Sequence, residues 1–252
     1  MFKEKKVIIF DMDGTLIDSV GIWNAIDQEL IRTISDKHID EVIVQQQRDT
    51  ILRSLSEAKD AYLRYCEFLK ACYGSALTKE EIHALRYNIA QRYLTEVIDF
   101  KPHADTFLHY LKAQGFTLVI ASTTSYANLQ TYMTRNLTMR NRVNFEETFS
   151  LILGRDVVQK MKPHPEIHHF IMEQLNISAQ DCLVIEDSLI GLEAAKEAGI
   201  ETIIIHDRYS NDDRLKLEAE AHAYFETYEA LLAYAHHELL PKNPTQEGTD
   251  EL

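Results

Sequence analysis

The chain has 252 residues, 45% apolar and 26% charged, which suits a folded globular protein and excludes both a disordered segment and a membrane protein. Its formal net charge of -14 argues against nonspecific binding to DNA, RNA or an anionic membrane surface, since those polyanions reward clustered Lys and Arg. A small anion remains compatible, because it feels only the local field of its own pocket.

The opening MFKEKK is basic, but the apolar run that follows, VIIF from Val7, stops at Asp11 and is far short of a signal-peptide core. No later stretch approaches the ~20 apolar residues of a membrane span. Cys66, Cys72 and Cys182 are too few and scattered for a disulfide framework and read as reduced thiols. The expected location is the cytoplasm.

VIIF is the first expected strand. Asp11 and Asp13 stand where it runs out, and residues i and i+2 of extended backbone project to one side. Gly14 then permits a sharp turn. Two carboxylates so placed suit a hard cation such as Mg2+, or a division of labour between nucleophile and acid or base. The plainer reading makes Asp13-Gly14 a turn and Asp11 a helix cap.

From about Ile17 to Phe100 helix formers dominate, with apolar positions such as Ile22, Ile26 and Leu30, then Ala61, Leu63, Phe68 and Leu69. The gap is too long for one crossover helix and reads as a helical insertion closing near Lys101-Pro102. Trp23 is expected to pack its own helix.

TLVIA from Thr117 is the second strand. It leads to Ser122, Thr123 and Thr124 at the entrance of a helix from Ser125 to Arg135, where hydroxyl and backbone N-H groups suit a phosphate oxygen. SLILG from Ser150 is the third strand. Lys162 follows in KMKPHPE, beside Pro163 and Pro165, which restrict the backbone, just before a helix from Pro165 to Leu175. His164 and the pairs His168-His169 and His236-His237 read as surface, because adjacent helical residues diverge.

CLVIE from Cys182 is the fourth strand and delivers Glu186 and Asp187 to its carboxyl end; Ser188 and Gly191 then open a helix that Gly199 closes. Two strand ends carrying acidic pairs repel unless a cation lies between them. ETIIIH from Glu201 is the fifth strand. A helical run ends near Leu240, and PKNPTQEGTDEL reads as a solvated tail.

Apolar strands without polar alternation, separated by helices, predict an α/β fold: a doubly wound, Rossmann-like parallel sheet. The expected organisation is an α/β core from 1-16 and 101-240, a helical cap from 17-100 and a tail from 241-252.

Together DMDGTLIDS (Asp11 to Ser19), VIASTTS (with Ser122), KMKPHP (with Lys162) and CLVIEDSLIGLEAAKEAGI (with Glu186 and Asp187) resemble the haloacid dehalogenase-like hydrolase superfamily. The resemblance is to its phosphatase and β-phosphoglucomutase-like branch, which carries a helical cap. It implies that Asp11 attacks phosphorus, becomes a phosphoaspartate and also ligates Mg2+. Asp13 would act as general acid and then base, its backbone carbonyl on the metal. Ser122 and Thr123 would hold the phosphoryl group, Lys162 would neutralise it, and Glu186 and Asp187 would complete the metal site.

Dehalogenases resembling the rest of the pattern lack a second acid at the place of Asp13, and Thr15 is the usual phosphatase choice where β-phosphoglucomutases often carry Val. The resemblance therefore implies hydrolysis of a small phosphorylated metabolite. A phosphomutase is the alternative, and a catalytically silent phosphate-binding or regulatory module is the alternative of another class. In related mutases a cap arginine grips the substrate's far phosphate; Arg48 falls at a comparable distance from Asp11, with Arg53 as the second choice.

Overall fold

The computed structural model describes residues 1-54 and 60-240; the expected tail, 241-252, lies outside the described residues. The chain divides into two compact units. Met1–Thr15, Lys101–Thr123 and the chain from Glu146 onward form one, and Leu16–Phe100 with Thr124–Phe145 form the other.

The strands are β1 (Val7–Phe10), β2 (Thr117–Ala121), β3 (Phe149–Leu153), β4 (Cys182–Glu186), β5 (Glu201–Ile205) and β6 (Ala223–Phe225). The helices of at least one α-turn are α1 (Val20–Ser35), α2 (Glu41–Ser54), α3 (Ala61–Tyr73), α4 (Lys79–Glu96), α5 (Ala104–Ala113) and α6 (Tyr126–Thr134). They continue with α7 (Leu137–Arg142), α8 (Phe145–Thr148), α9 (Glu166–Leu175), α10 (Leu189–Glu197), α11 (Arg214–Glu220) and α12 (Tyr228–Leu239).

The first unit holds a sheet of order β3-β2-β1-β4-β5-β6 in which every pairing is parallel. The sixth strand was not expected, and the reason is physical: AYF is short and half-buried throughout, so it carries no apolar run.

β1 is buried at all its residues, as a central strand covered on both faces must be. Its alternate side chains divide between those faces. Val7 and Ile9 join Val119, Val184, Ile167 and Ile171 in one cluster, which places α9 on that side. Phe10 instead meets Phe107 of α5 edge-on, and Phe107 in turn packs against Phe2 and Tyr228 of α12. Each buried Ile or Phe contributes roughly 1.5–3 kcal/mol.

Because β1 has β2 on one side and β4 on the other, the winding of the chain reverses at β1. Open α/β sheets bind ligands outside the carboxyl ends of such strands.

The second unit packs α1, α2, α3 and α4 around Ile26, Leu30, Val44, Tyr65, Leu69, Ile82 and Ile89. The spacings Ile26-Leu30 and Tyr65-Leu69 are one helical turn, so each helix presents one stripe. A capping box starts α4: Thr78 accepts from the Glu81 N-H and the Glu81 carboxylate accepts from the Thr78 N-H. Trp23 packs against this core.

Residues 124-145, with α6 and α7, belong to this helical unit. Asn136 is one reason. Its buried amide donates to the carbonyls of Leu94 at 3.0 Å and Ile98 at 2.7 Å, while its Oδ1 caps α7 at the Met139 N-H.

Candidate active site

Asp11 follows β1 and continues its ladder, since the Asp11 N-H donates to the Ile185 carbonyl at 3.0 Å. That bond ties the end of β1 to the end of β4, where Glu186 and Asp187 stand. Asp11, Glu186 and Asp187 are all buried, and each offers an oxygen lying within 4.8 Å of the others.

Lys162 reaches the same point. Its ammonium donates to Asp11 Oδ1 at 2.8 Å, Glu186 Oε1 at 2.7 Å and the Ala121 carbonyl at 2.8 Å, which uses every N-H it has. Ala121 ends β2, so one amine joins the carboxyl ends of β1, β2 and β4.

Two glycines make the approach possible. A Cβ on Gly14 would lie 2.5 Å from Asp187 Oδ2, and Gly14 also has φ +84, which few side chains tolerate. A Cβ on Gly191 would lie 1.8 Å from Glu186 Oε1.

The remaining bonds hold the acids in place. Glu186 Oε2 accepts from the backbone N-H of Asp187 at 3.0 Å and of Ser188 at 3.1 Å, and from the Ser188 hydroxyl at 2.9 Å. Thr15 Oγ1 donates to Asp187 Oδ1 at 2.8 Å.

Electrostatics follow from burial. Desolvation pushes the Asp11 carboxyl up to about 7 against the pull of Lys162, and Glu186 adds to the rise. Asp187 is raised well above the usual range, first by burial and then by the Glu186 and Asp11 charges. Burial works to lower the Lys162 amine, but Asp11 and Glu186 together outweigh it and hold the amine protonated.

Three buried carboxyl groups converge here and one ammonium bonds two of them, Asp11 and Glu186, so their full ionisation would leave excess negative charge in a place water does not reach freely. All-oxygen donors at this spacing are the chemistry of a hard divalent cation, so the residues fit Mg2+.

Ser122 comes directly after β2 and is buried, its N-H donating to the Leu153 carbonyl at 2.9 Å. Thr123 follows it and is half-buried. Asp13 is half-buried and stands outside the group of three converging carboxylates, although its charge still raises the Asp11 carboxyl.

Arg48 lies in the helical unit, donating to Asn24 Oδ1 at 2.8 Å and Asp27 Oδ2 at 3.2 Å. The side chain of Arg53 lies outside the described part of the structure.

One histidine departs from its expected place. His168 is fully buried on α9, and neither ring nitrogen has a hydrogen-bond partner. Burial, with Lys162 next in effect, depresses it to about 3, so the ring is neutral. It lies on the stripe that packs α9 onto the sheet, one position from Ile167, and a surface reading based on the adjacent pair could not separate it from exposed His169.

Sequence reasoning also missed Asp207, which follows β5 and is buried, and Lys101, whose ammonium pairs with Asp207 Oδ2 at 2.9 Å. The signal was present: Asp207 is another acid at a carboxyl strand end, one residue beyond ETIIIH.

The family model of the haloacid dehalogenase-like hydrolases matches residues 8–205, from β1 through β5. The chain belongs to this hydrolase family.

Relatives span almost the same length. This hydrolase is 26% identical over 234 residues to "Phosphorylated carbohydrates phosphatase" of Thermotoga maritima, covering 90% of this chain and 96% of that one. It is 29% identical over 210 residues to "Phosphoglycolate phosphatase" of Colwellia psychrerythraea, covering 80% and 84%. The solved structure of CbbY from Rhodobacter sphaeroides in complex with phosphate superposes with a TM-score of 0.68 at 23% identity, covering 90% of this chain and 96% of that one, which shows the shared fold. Among the described residues no helix is long and apolar enough to cross a membrane.

Proposed function

We propose that this hydrolase cleaves a small phosphate monoester through a phosphoaspartate on Asp11, with Mg2+ held by Asp11, Glu186, Asp187 and the Asp13 carbonyl. The observation that carries the reading is the single point at which Lys162 meets Asp11 and Glu186 while three carboxylate oxygens lie within 4.8 Å. The phosphatase names of the relatives support the same class.

Each role follows from placement. Lys162 binds Asp11 Oδ1, which fixes the rotation of the carboxylate and leaves Oδ2 to attack phosphorus in line. Asp13, two residues on and less buried, protonates the leaving oxygen and then deprotonates the water that opens the phosphoaspartate. The Ser122 hydroxyl and Thr123 hold the transferring oxygens, and Lys162 balances their charge. When bound, Mg2+ supplies further positive charge to a phosphoryl oxygen.

In this reading the helical unit is the cap, which excludes water during transfer and selects the substrate. Arg48 is the candidate for a second anionic group on that substrate. Hydrolysis is preferred to phosphate shuttling between hydroxyls.

The test is p-nitrophenyl phosphate hydrolysis with and without Mg2+, alongside Asp11→Asn. The expected result is Mg2+-dependent phosphate release that Asp11→Asn abolishes; release unaffected by the substitution removes the covalent mechanism. A turnover screen across sugar phosphates, phosphoglycolate-like acids and nucleotides then identifies the substrate, and a sugar bisphosphate that regains phosphate on a second hydroxyl would instead mark a mutase.

A further inference from the structure

Asp187 is held from two directions. Thr15 donates to Oδ1 at 2.8 Å from the segment after β1, and Ser210 Oγ donates to Oδ2 at 3.4 Å from the 3-10 turn Arg208–Asp213 that follows β5. The first contact lies inside the signature DMDGT. The second belongs to a turn whose residues have no role in the reaction proposed above.

That turn is built on Asp207. Its Oδ1 accepts from the Tyr209 N-H at 2.9 Å and its carbonyl accepts from the Ser210 N-H at 3.0 Å, so Asp207 sets where Ser210 stands. Asp207 is itself buried, with a side chain 3% exposed, and needs a counter-charge.

Lys101 supplies it. The Lys101 ammonium lies 2.9 Å from Asp207 Oδ2 and donates to the His206 carbonyl at 2.8 Å, gripping the end of β5 and the start of the turn together. Lys101 is also the first residue of the sheet unit after the helical segment ends at Phe100.

We propose that Lys101 is a positioning residue for the divalent-cation site, acting through Asp207 and Ser210 on the carboxylate of Asp187. The inference rests on the metal reading above and extends it to residues outside the recognised signatures. The effect is geometric: Lys101 keeps the 207–210 turn in the position that lets Ser210 orient the Asp187 carboxylate. Partners behind a ligand typically change metal affinity by about 10- to 100-fold when removed.

The alternative is that the Lys101-Asp207 pair only stabilises the fold. A structural pair of that kind shifts the unfolding midpoint and leaves cation affinity alone.

The experiment is calorimetric titration of Mg2+ into the EDTA-treated, dialysed full chain, comparing wild type with Lys101→Met, Lys101→Arg and Ser210→Ala. Half-maximal Mg2+ concentration for p-nitrophenyl phosphate hydrolysis is measured in parallel. Lys101→Met and Ser210→Ala are expected to weaken Mg2+ binding by about tenfold. Lys101→Arg should restore most of the affinity, and the rate lost at low Mg2+ should return when Mg2+ is raised.

Ser210→Ala removes one hydroxyl from a partly exposed turn, so it keeps the test informative if Lys101→Met does not fold. Wild-type affinity in both Lys101→Met and Ser210→Ala, or tighter binding in either, overturns the positioning role and leaves the metal reading standing. A wild-type chain that binds no Mg2+ and releases no phosphate overturns both.

Discussion

Gly191 and Glu186 occupy what is nearly the same space: a methyl group on Gly191 would stand 1.8 Å from Glu186 Oε1. Gly191 sits in the first turn of α10, where glycine costs about 1 kcal/mol of helix propensity relative to alanine. A side chain at this position would have to push Glu186 off its bonds. Its oxygens are bound by Lys162, two backbone N-H groups and Ser188.

Gly191→Ala should therefore displace Glu186 and lower phosphatase turnover by about 100-fold, the scale seen when one preorganised charge contact is lost. Circular dichroism should remain native. Wild-type turnover in a folded Gly191→Ala protein would show that Glu186 has room to move.

Lys162→Met leaves Asp11 and Glu186 without their shared amine. Removing one partner of a buried ion pair costs about 3–5 kcal/mol. Urea denaturation without Mg2+ should show a loss on that scale, and excess Mg2+ should recover part of it without recovering turnover. Full recovery of activity by Mg2+ would assign Lys162 a purely structural role.

The raised carboxyls give a pH signature. Asp11, up at about 7, holds a proton in the folded protein that the unfolded chain gives up near its ordinary value. That contribution is fully present below the unfolded pKa and is lost as pH rises through about 7. Asp187, also raised by burial and by its acidic neighbours, acts in the same direction.

Mg2+ competes with those protons. Its stabilising effect, read as the increase in thermal midpoint over an EDTA control, should be larger at pH 8 than at pH 5.5. An increase of the same size at both would contradict the assignment of these acids to the metal.

His168 predicts the opposite slope. Its folded pKa is depressed to about 3, so protonation favours the unfolded chain, and stability falls as pH drops below the ordinary histidine value. At pH 5 the loss amounts to roughly 2 kcal/mol. His168→Leu should flatten the decline in urea midpoint between pH 7 and pH 5; an unchanged decline would assign the acid sensitivity elsewhere.

In the helical unit, Asp27 is fully buried between two guanidinium groups. Arg86 binds it through Nε at 2.7 Å and a second nitrogen at 3.4 Å, and Arg48 at 3.2 Å. Asp27→Asn removes the charge both arginines share and should destabilise the chain by about 3–5 kcal/mol in urea. A loss under 1 kcal/mol would mean that Asp49, 3.7 Å from Arg48 Nε, carries more of the balance.

The strands that build the centre of the sheet were legible because burial on both faces demands uninterrupted apolar runs, and VIIF, TLVIA and CLVIE are such runs. Their acidic ends were legible for the same reason: Asp11, Glu186 and Asp187 interrupt apolar sequence abruptly. β6 was not, since a short half-buried strand leaves no periodic trace. The sequence by itself determined which residue types stand at the carboxyl ends of the strands, a local property of each segment. Only tertiary structure decided that Lys162 bonds Asp11, Glu186 and Ala121 at once, that His168 is sealed inside, and that Lys101 anchors the turn beside Asp187. Those relationships join residues far apart in the chain, and they exist only once parallel pairing has brought the strand ends together.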